Sequence, residues 1–223
     1  MRRFLILPLS LLVAALVPVV PAGAADAPVC TVHLPAAVSA TSPYTAVWPT
    51  FTDCASYPDV VWAFSAASGP ANDYRGTVEV KNGVSQGAWR YRDSYPTGKY
   101  RVANPNLPPV PTDPPQNFTT TVVKFGSTIS LKSSRVSDLK VPLKGVVSHY
   151  VASVNEMRRW AHRTVSISYR DCDTCEWKFL ALDKTDAYGV FSLAAVSPTP
   201  RFYRAKVGET STTWGRTSAS VYN

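Results

Sequence analysis

The sequence predicts an all-β chain of two tandem β-sandwich modules behind a cleaved signal peptide. Three observations predict it. Short runs rich in Val, Thr, Tyr and Phe recur roughly every ten residues, separated by turn residues. Thr, Ser, Val, Tyr and Pro are abundant while Glu and Met are scarce, which favours strands and turns over helices. "GAWRYRDSYPTGKYRVA" (87–103) lines up with "GVFSLAAVSPTPRFYRAK" (189–206), a weak internal repeat.

The N-terminus sets the expected compartment. Arg2 and Arg3 form a basic start, residues 4–20 are largely apolar, and Ala22-Gly23-Ala24 reads as a small-x-small cleavage site. Residues 1–24 are therefore expected to be a secretory signal peptide and not a membrane span. No later segment is long and apolar enough to span a bilayer. The mature chain is expected to be secreted, where disulfides persist. Its length of about 200 residues suffices for one or two cored domains. Without Arg2 and Arg3 the formal charge falls from +8 to +6. That balance gives a soluble basic surface and is compatible with a cell wall or polysaccharide surface. No nucleic-acid partner is expected.

Module one is expected over 25–125. Its clearest strands are "DVVWAFSA" (59–66), "TVEV" (77–80), "AWRYRD" (88–93) and "KYRVA" (99–103). "NPNLPPVPTDPP" (104–115) carries six prolines and reads as a linker on composition. In the repeat frame it falls between the last two strands of module one, as a stiff loop, and that reading is favoured. Asn117-Phe118-Thr119 is a glycosylation sequon by pattern. Module two is expected over 126–223. Its strands are "TISLKS" (128–133), "TVSISYR" (164–170), "WKFLAL" (177–182), "VFSLAAV" (190–196) and "RFYRAKV" (201–207), with a Thr/Ser-rich closing strand in "WGRTSASVYN". "SVNEMRRWAH" is the one helix-compatible stretch, and its length is marginal.

"YRDCDTCEWKFLALDKTDAYGVFSL" resembles immunoglobulin-like or prealbumin-like sandwich modules of secreted actinobacterial proteins. The similar positions are Val165, Ile167, Tyr169, Arg170, Trp177, Thr185, Asp186, Gly189 and Phe191. The resemblance covers roughly 126–223. It implies immunoglobulin-like modules with extracellular binding or spacer roles, and it brings no catalytic residues or cofactors.

In that frame "RDCDTC" sits at a hairpin tip. With Asp173-Thr174 as the loop, Cys172 faces Cys175, inside the distance window of a disulfide. The same register pairs Ile167 with Leu180 and Val165 with Leu182 on one apolar face. A redox role is disfavoured, because Asp171, Asp173 and Glu176 would raise a thiol pKa. A zinc role would need two further ligands, and His149 and His162 do not form a ligand-spaced pair. A disulfide clip is the favoured reading of the three. Cys30 and Cys54 are left to pair with each other.

No nucleophile, metal-protease or phosphate-loop motif is present, and His33, His149 and His162 are scattered, so no catalytic residues are assigned. Asp183 and Asp186 in "DKTDAYG" read as a turn and not a calcium loop, and no metal site is expected. Arg158, Arg159, Trp160 and Arg163 form a candidate ligand site, since guanidinium groups stack on indole and bind anionic groups. They equally suit the approach to the next strand. Six tryptophans and eleven tyrosines invite a carbohydrate-binding reading, although sandwich cores also consume aromatics. Exposure of Trp48, Trp89, Trp160 and Trp214 separates the two.

Overall fold

The structure, a computed structural model, describes residues 28–70, 72–106 and 114–223. The expected signal peptide and residues 107–113 of the proline-rich stretch lie outside the described residues. The chain is all-β, and its sheets pack around two buried clusters.

The first ten strands are β1 (Thr31–His33), β2 (Ala37–Ala40), β3 (Tyr44–Val47), β4 (Thr50–Thr52) and β5 (Asp59–Ala66), then β6 (Tyr74–Lys81), β7 (Val84–Ser85), β8 (Trp89–Arg92), β9 (Gly98–Ala103) and β10 (Thr119–Phe125). One sheet runs β2-β10-β9-β5-β6-β7, with β2 parallel to β10. The pairs β3–β8 and β1–β4 lie apart from it. Alternation explains the packing. Trp62 and Phe64 of β5, Tyr100 and Val102 of β9, and Trp89 and Tyr91 of β8 all point into one buried cluster. Trp89 stacks on Phe64 with ring centroids 4.1 Å apart, so the β3–β8 pair is pressed against the larger sheet. The proline-rich stretch connects β9 to β10, which pair antiparallel.

The rest of the chain forms β11 (Ser127–Ser133), β12 (Lys140–Val151), β13 (Glu156–Arg159), β14 (Thr164–Arg170), β15 (Lys178–Lys184), β16 (Val190–Val196), β17 (Phe202–Val207), β18 (Arg216–Thr217) and β19 (Val221–Tyr222). In one layer β12 is flanked by β11 on one edge and by β13 and β16 on the other. The second layer runs β15-β14-β17, with β18 and β19 on the far edge of β17. Val141, Leu143 and Val147 meet Val165, Ile167, Phe191 and Tyr203 in a second buried cluster. The Phe191 ring lies over Gly145, where any Cβ would collide with it and with the Ser130 carbonyl.

Three local expectations need correction. The helix-compatible stretch is a 3-10 turn, Ala152–Val154, followed by strand β13, because β12 offers it a hydrogen-bonding edge. The Thr/Ser-rich ending is two short strands and not one. The hairpin register holds near its tip, where Ser168 pairs with Phe179, but it shifts at a β-bulge. Beyond the bulge Ile167 faces Ala181 and Val165 faces Asp183, so Leu182 turns away from the core.

Candidate functional site

The alternation of β3 buries Val47 and turns Tyr44, Ala46 and Trp48 outward. On its partner β8, Trp89 and Tyr91 are buried, so Arg90 and Arg92 are outward. The register sets Tyr44 opposite Arg92 and Ala46 opposite Arg90. Tyr44, Ala46, Trp48, Gly87, Ala88 and Arg90 line an open trough of about 270 Å³. Trp48 is 68% exposed and Tyr44 63%. Four residues of strand separate their Cα atoms by about 13 Å. The small side chains of Ala46 and Ala88 leave the floor low between the two rings.

The charge of this trough is one-sided. The Arg92 guanidinium lies 5.7 Å from the Tyr44 ring centroid. Among the described residues no carboxylate lies within ion-pair distance of Arg90 or Arg92. The arrangement therefore presents two aromatic faces and two uncompensated guanidinium groups to solvent. It has no nucleophile–base pair. Among the described residues no group of three or more His, Cys, Asp or Glu could hold a metal ion.

The residues singled out from the sequence fall in different places. Cys30–Cys54 and Cys172–Cys175 are both disulfides, with Cα atoms 4.5 Å and 5.1 Å apart. The N–H of Cys175 donates to the Cys172 carbonyl and closes the tip turn. Arg158 and Arg159 are exposed on β13, and Arg158 pairs with Glu156 at 2.8 Å. Trp160 is only 8% exposed. Its ring stacks on His149 at 4.8 Å and carries the Arg163 guanidinium at 4.6 Å. Those contacts occupy Trp160 within the fold and leave it no platform. Trp89 is in the core, and Trp214 is half-buried where the two ends of the described chain meet.

Asp186 accepts the N–H groups of Tyr188 and Val190, and Asp183 accepts those of Lys184 and Ser192, so both carboxylates serve turns. Asn117 of the sequon bonds both backbone groups of Val32, at 2.9 and 3.0 Å, which ties its amide into the fold. Of the trough, Trp48 was accessible to sequence reasoning and Tyr44, Arg90 and Arg92 were not. A signal for the arginines lies in "AWRYR", where the large aromatics Trp89 and Tyr91 alternate with Arg90 and Arg92, but nothing in "YTAVW" marks which of its residues face outward.

No family model matches the chain, and no curated protein matches it. Among solved structures, it is similar to the D0-D1 domain of intimin, at 13% identity and a TM-score of 0.31, covering 86% of this chain and 96% of that one. It is similar to the human OSCAR ligand-binding domain, at 10% identity and 0.31, covering 88% and 98%. It is also similar to the FN1-FN3 domains of chicken CNTN1, at 13% identity and 0.30, covering 88% and 68%.

Proposed function

We propose that the chain is a secreted, non-enzymatic binding protein of two tandem β-sandwich modules, and that the β3–β8 trough holds a polysaccharide of the cell wall or its surroundings. Two disulfides support an oxidising compartment. One observation carries the binding reading: Tyr44 and Trp48 stand exposed on one strand face, beside arginines with no carboxylate partner. Exposed aromatic groups of this size bring a cost in water that packing does not explain. The C–H face of a pyranose ring matches an aromatic face, and the guanidinium groups can donate to ring hydroxyls.

The test is retention of the full chain on insoluble polysaccharides, with Trp48→Ala and Tyr44→Ala compared with wild type. Wild type should be retained on at least one polysaccharide and the double variant released from it. Both side chains are exposed, so the variants should fold normally. Retention of the double variant equal to wild type, or no retention of wild type on any polysaccharide, overturns the reading and leaves a spacer role.

A further inference from the structure

The bulge that turns Leu182 outward builds a second surface, independent of the trough. On the outer face of the β15-β14-β17 layer, Leu182 is 61% exposed and Phe179 is 64% exposed. Without the bulge, Leu182 would face Val165 and enter the core. With it, Leu182 stands opposite Ser166 and shares its side of the sheet with Phe179, which faces Ser168. A leucine moved from core to solvent loses burial energy. Bulges that re-aim side chains are over-represented beside functional surfaces.

The aromatic side chains of this face are threaded with cations. The guanidinium of Arg204 lies 4.2 Å from the Trp177 ring centroid, and that of Arg170 lies 4.7 Å from it. Arg170 also lies 5.0 Å from Phe202, whose ring packs 4.6 Å from Tyr222. Lys206 and Lys184 point to the same side as Arg204, by the strict alternation of β17 and the pairing of Lys184 with Thr164. Acidic groups lie at the hairpin tip and, at the other end, in Glu209, which shares a pocket with Lys206 and pairs with Lys124 at 3.5 Å. Asp173 is paired with Arg170, and Asp171 with Lys178 and Arg201. Among the described residues neither Arg204 nor Lys206 has a carboxylate within ion-pair distance. Down the centre strand run the hydroxyls of Thr164, Ser166 and Ser168.

We propose that the outer face of β14, β15 and β17 binds one strand of an acidic polysaccharide, one carrying carboxylate or sulfate groups. Charge complementarity selects the anion: positive groups line the strands, and the nearby acids Asp171, Asp173 and Glu209 are each paired with a cation. The exposed Phe179 ring and Leu182 suit the apolar face of a sugar ring, and the serine and threonine hydroxyls match sugar hydroxyls as donors and acceptors. Each class of group on the face thus has its counterpart on one polymer. A nucleic acid could use the same cations and hydroxyls, but the two disulfides support an oxidising compartment, and titration discriminates the two polymers.

The test is titration of the full chain with soluble polygalacturonate, heparin, neutral dextran and poly(dT), at two salt concentrations. Binding to polygalacturonate or heparin should exceed binding to dextran and poly(dT), and it should weaken with salt. The Arg204→Ala/Lys206→Ala variant should lose at least about tenfold in affinity, through two lost charge-assisted contacts. Leu182→Ser, at an exposed position, should also weaken binding while leaving the melting temperature unchanged. The Arg204→Ala/Lys206→Ala variant should keep wild-type retention on neutral insoluble polysaccharides, which separates this face from the trough. Dextran bound as tightly as the acidic polymers overturns the proposal, as does full affinity in the double variant. Tighter binding of poly(dT) overturns the choice of polysaccharide.

Discussion

Trp214 donates its indole N–H to the carbonyl of Val38 at 2.8 Å, across 176 residues of chain. The surrounding contacts make this a seam. The N–H of Phe125 donates to the Thr212 carbonyl and that of Trp214 to the Phe125 carbonyl. The Lys124 ammonium donates to the Thr210 carbonyl and lies 4.7 Å from the Trp214 ring centroid. Gly126 joins β10 to β11 where any Cβ would collide with Thr41 and Ser39. Trp214→Phe keeps one aromatic ring and removes the N–H donor. It should lower unfolding stability by about 1 kcal/mol, the usual net worth of a hydrogen bond. Urea midpoints of the two proteins check this, and identical midpoints would show the bond contributes nothing in solution.

Two buried tyrosines should respond to the same change in opposite ways. The Tyr150 hydroxyl donates to Asp93 at 2.8 Å, and burial followed by that hydrogen bond pushes its pKa up to about 12. Among the described residues the buried Tyr203 hydroxyl has no partner. Tyr150→Phe should cost about 2 kcal/mol, since the acceptor is charged, whereas Tyr203→Phe should be neutral or stabilising by up to about 1 kcal/mol. A Tyr203→Phe protein clearly less stable than wild type would reveal a partner for that hydroxyl.

Strands with clean alternation were legible in the sequence. "DVVWAFSA", "TVSISYR" and "VFSLAAV" are β5, β14 and β16. The aligned positions Trp89 and Phe191, and Tyr100 and Tyr203, are all buried. What escaped depends on partners distant in sequence. Trp160 is enclosed because β13 lies against β12 and brings His149 beneath the indole, a pairing no local pattern encodes. Leu182 was assigned to the core because period-2 counting cannot reveal a bulge. Half of the trough was hidden for the same reason, since Arg90 and Arg92 reach Tyr44 and Ala46 only through the pairing of β8 with β3.

His149 gives the fold a pH dependence with a definite sign. Burial, and then the Arg163 guanidinium, hold its pKa below the usual histidine value of 6.5. The unfolded chain therefore binds this proton more readily than the folded one. The neutral ring's contribution is complete above about pH 6.5 and is lost as pH falls through the lowered folded value. Melting temperature should drop between pH 7.5 and 5.5 in wild type, and drop less in His149→Phe, which keeps a ring against Trp160. Parallel curves for the two proteins would assign the acid sensitivity elsewhere.

The two disulfides should differ in weight. Chain entropy assigns about 3.5 kcal/mol to a loop the size of Cys30–Cys54 and about 2 kcal/mol to one the size of Cys172–Cys175. Cys30 and Cys54 are also buried in the first core, whereas Cys172 is exposed at a hairpin tip. The Cys30→Ala/Cys54→Ala variant should melt well below the Cys172→Ala/Cys175→Ala variant. The reverse order would mean that the hairpin clip, and not the core bridge, limits stability.

The chain should divide at residue 126, with 126–223 folding alone. Every strand from β11 to β19 pairs only with others of that set. The second buried cluster and its partly buried neighbours also come from that stretch. By contrast β10 pairs with β9 and β2, so a fragment beginning at 116 would carry a strand whose partners are missing. Val123 would lose its burial and two strand edges would be open to association. The shorter fragment does lose contacts: the Trp214 indole loses Val38, and the Tyr150 hydroxyl loses Asp93. It should therefore unfold cooperatively as a monomer but melt below the full chain, while 116–223 should associate. Expressing the two fragments side by side and measuring mass in solution and thermal unfolding checks this. If only the longer fragment is monomeric and cooperative, β10 belongs to the second module and the prolines are the hinge.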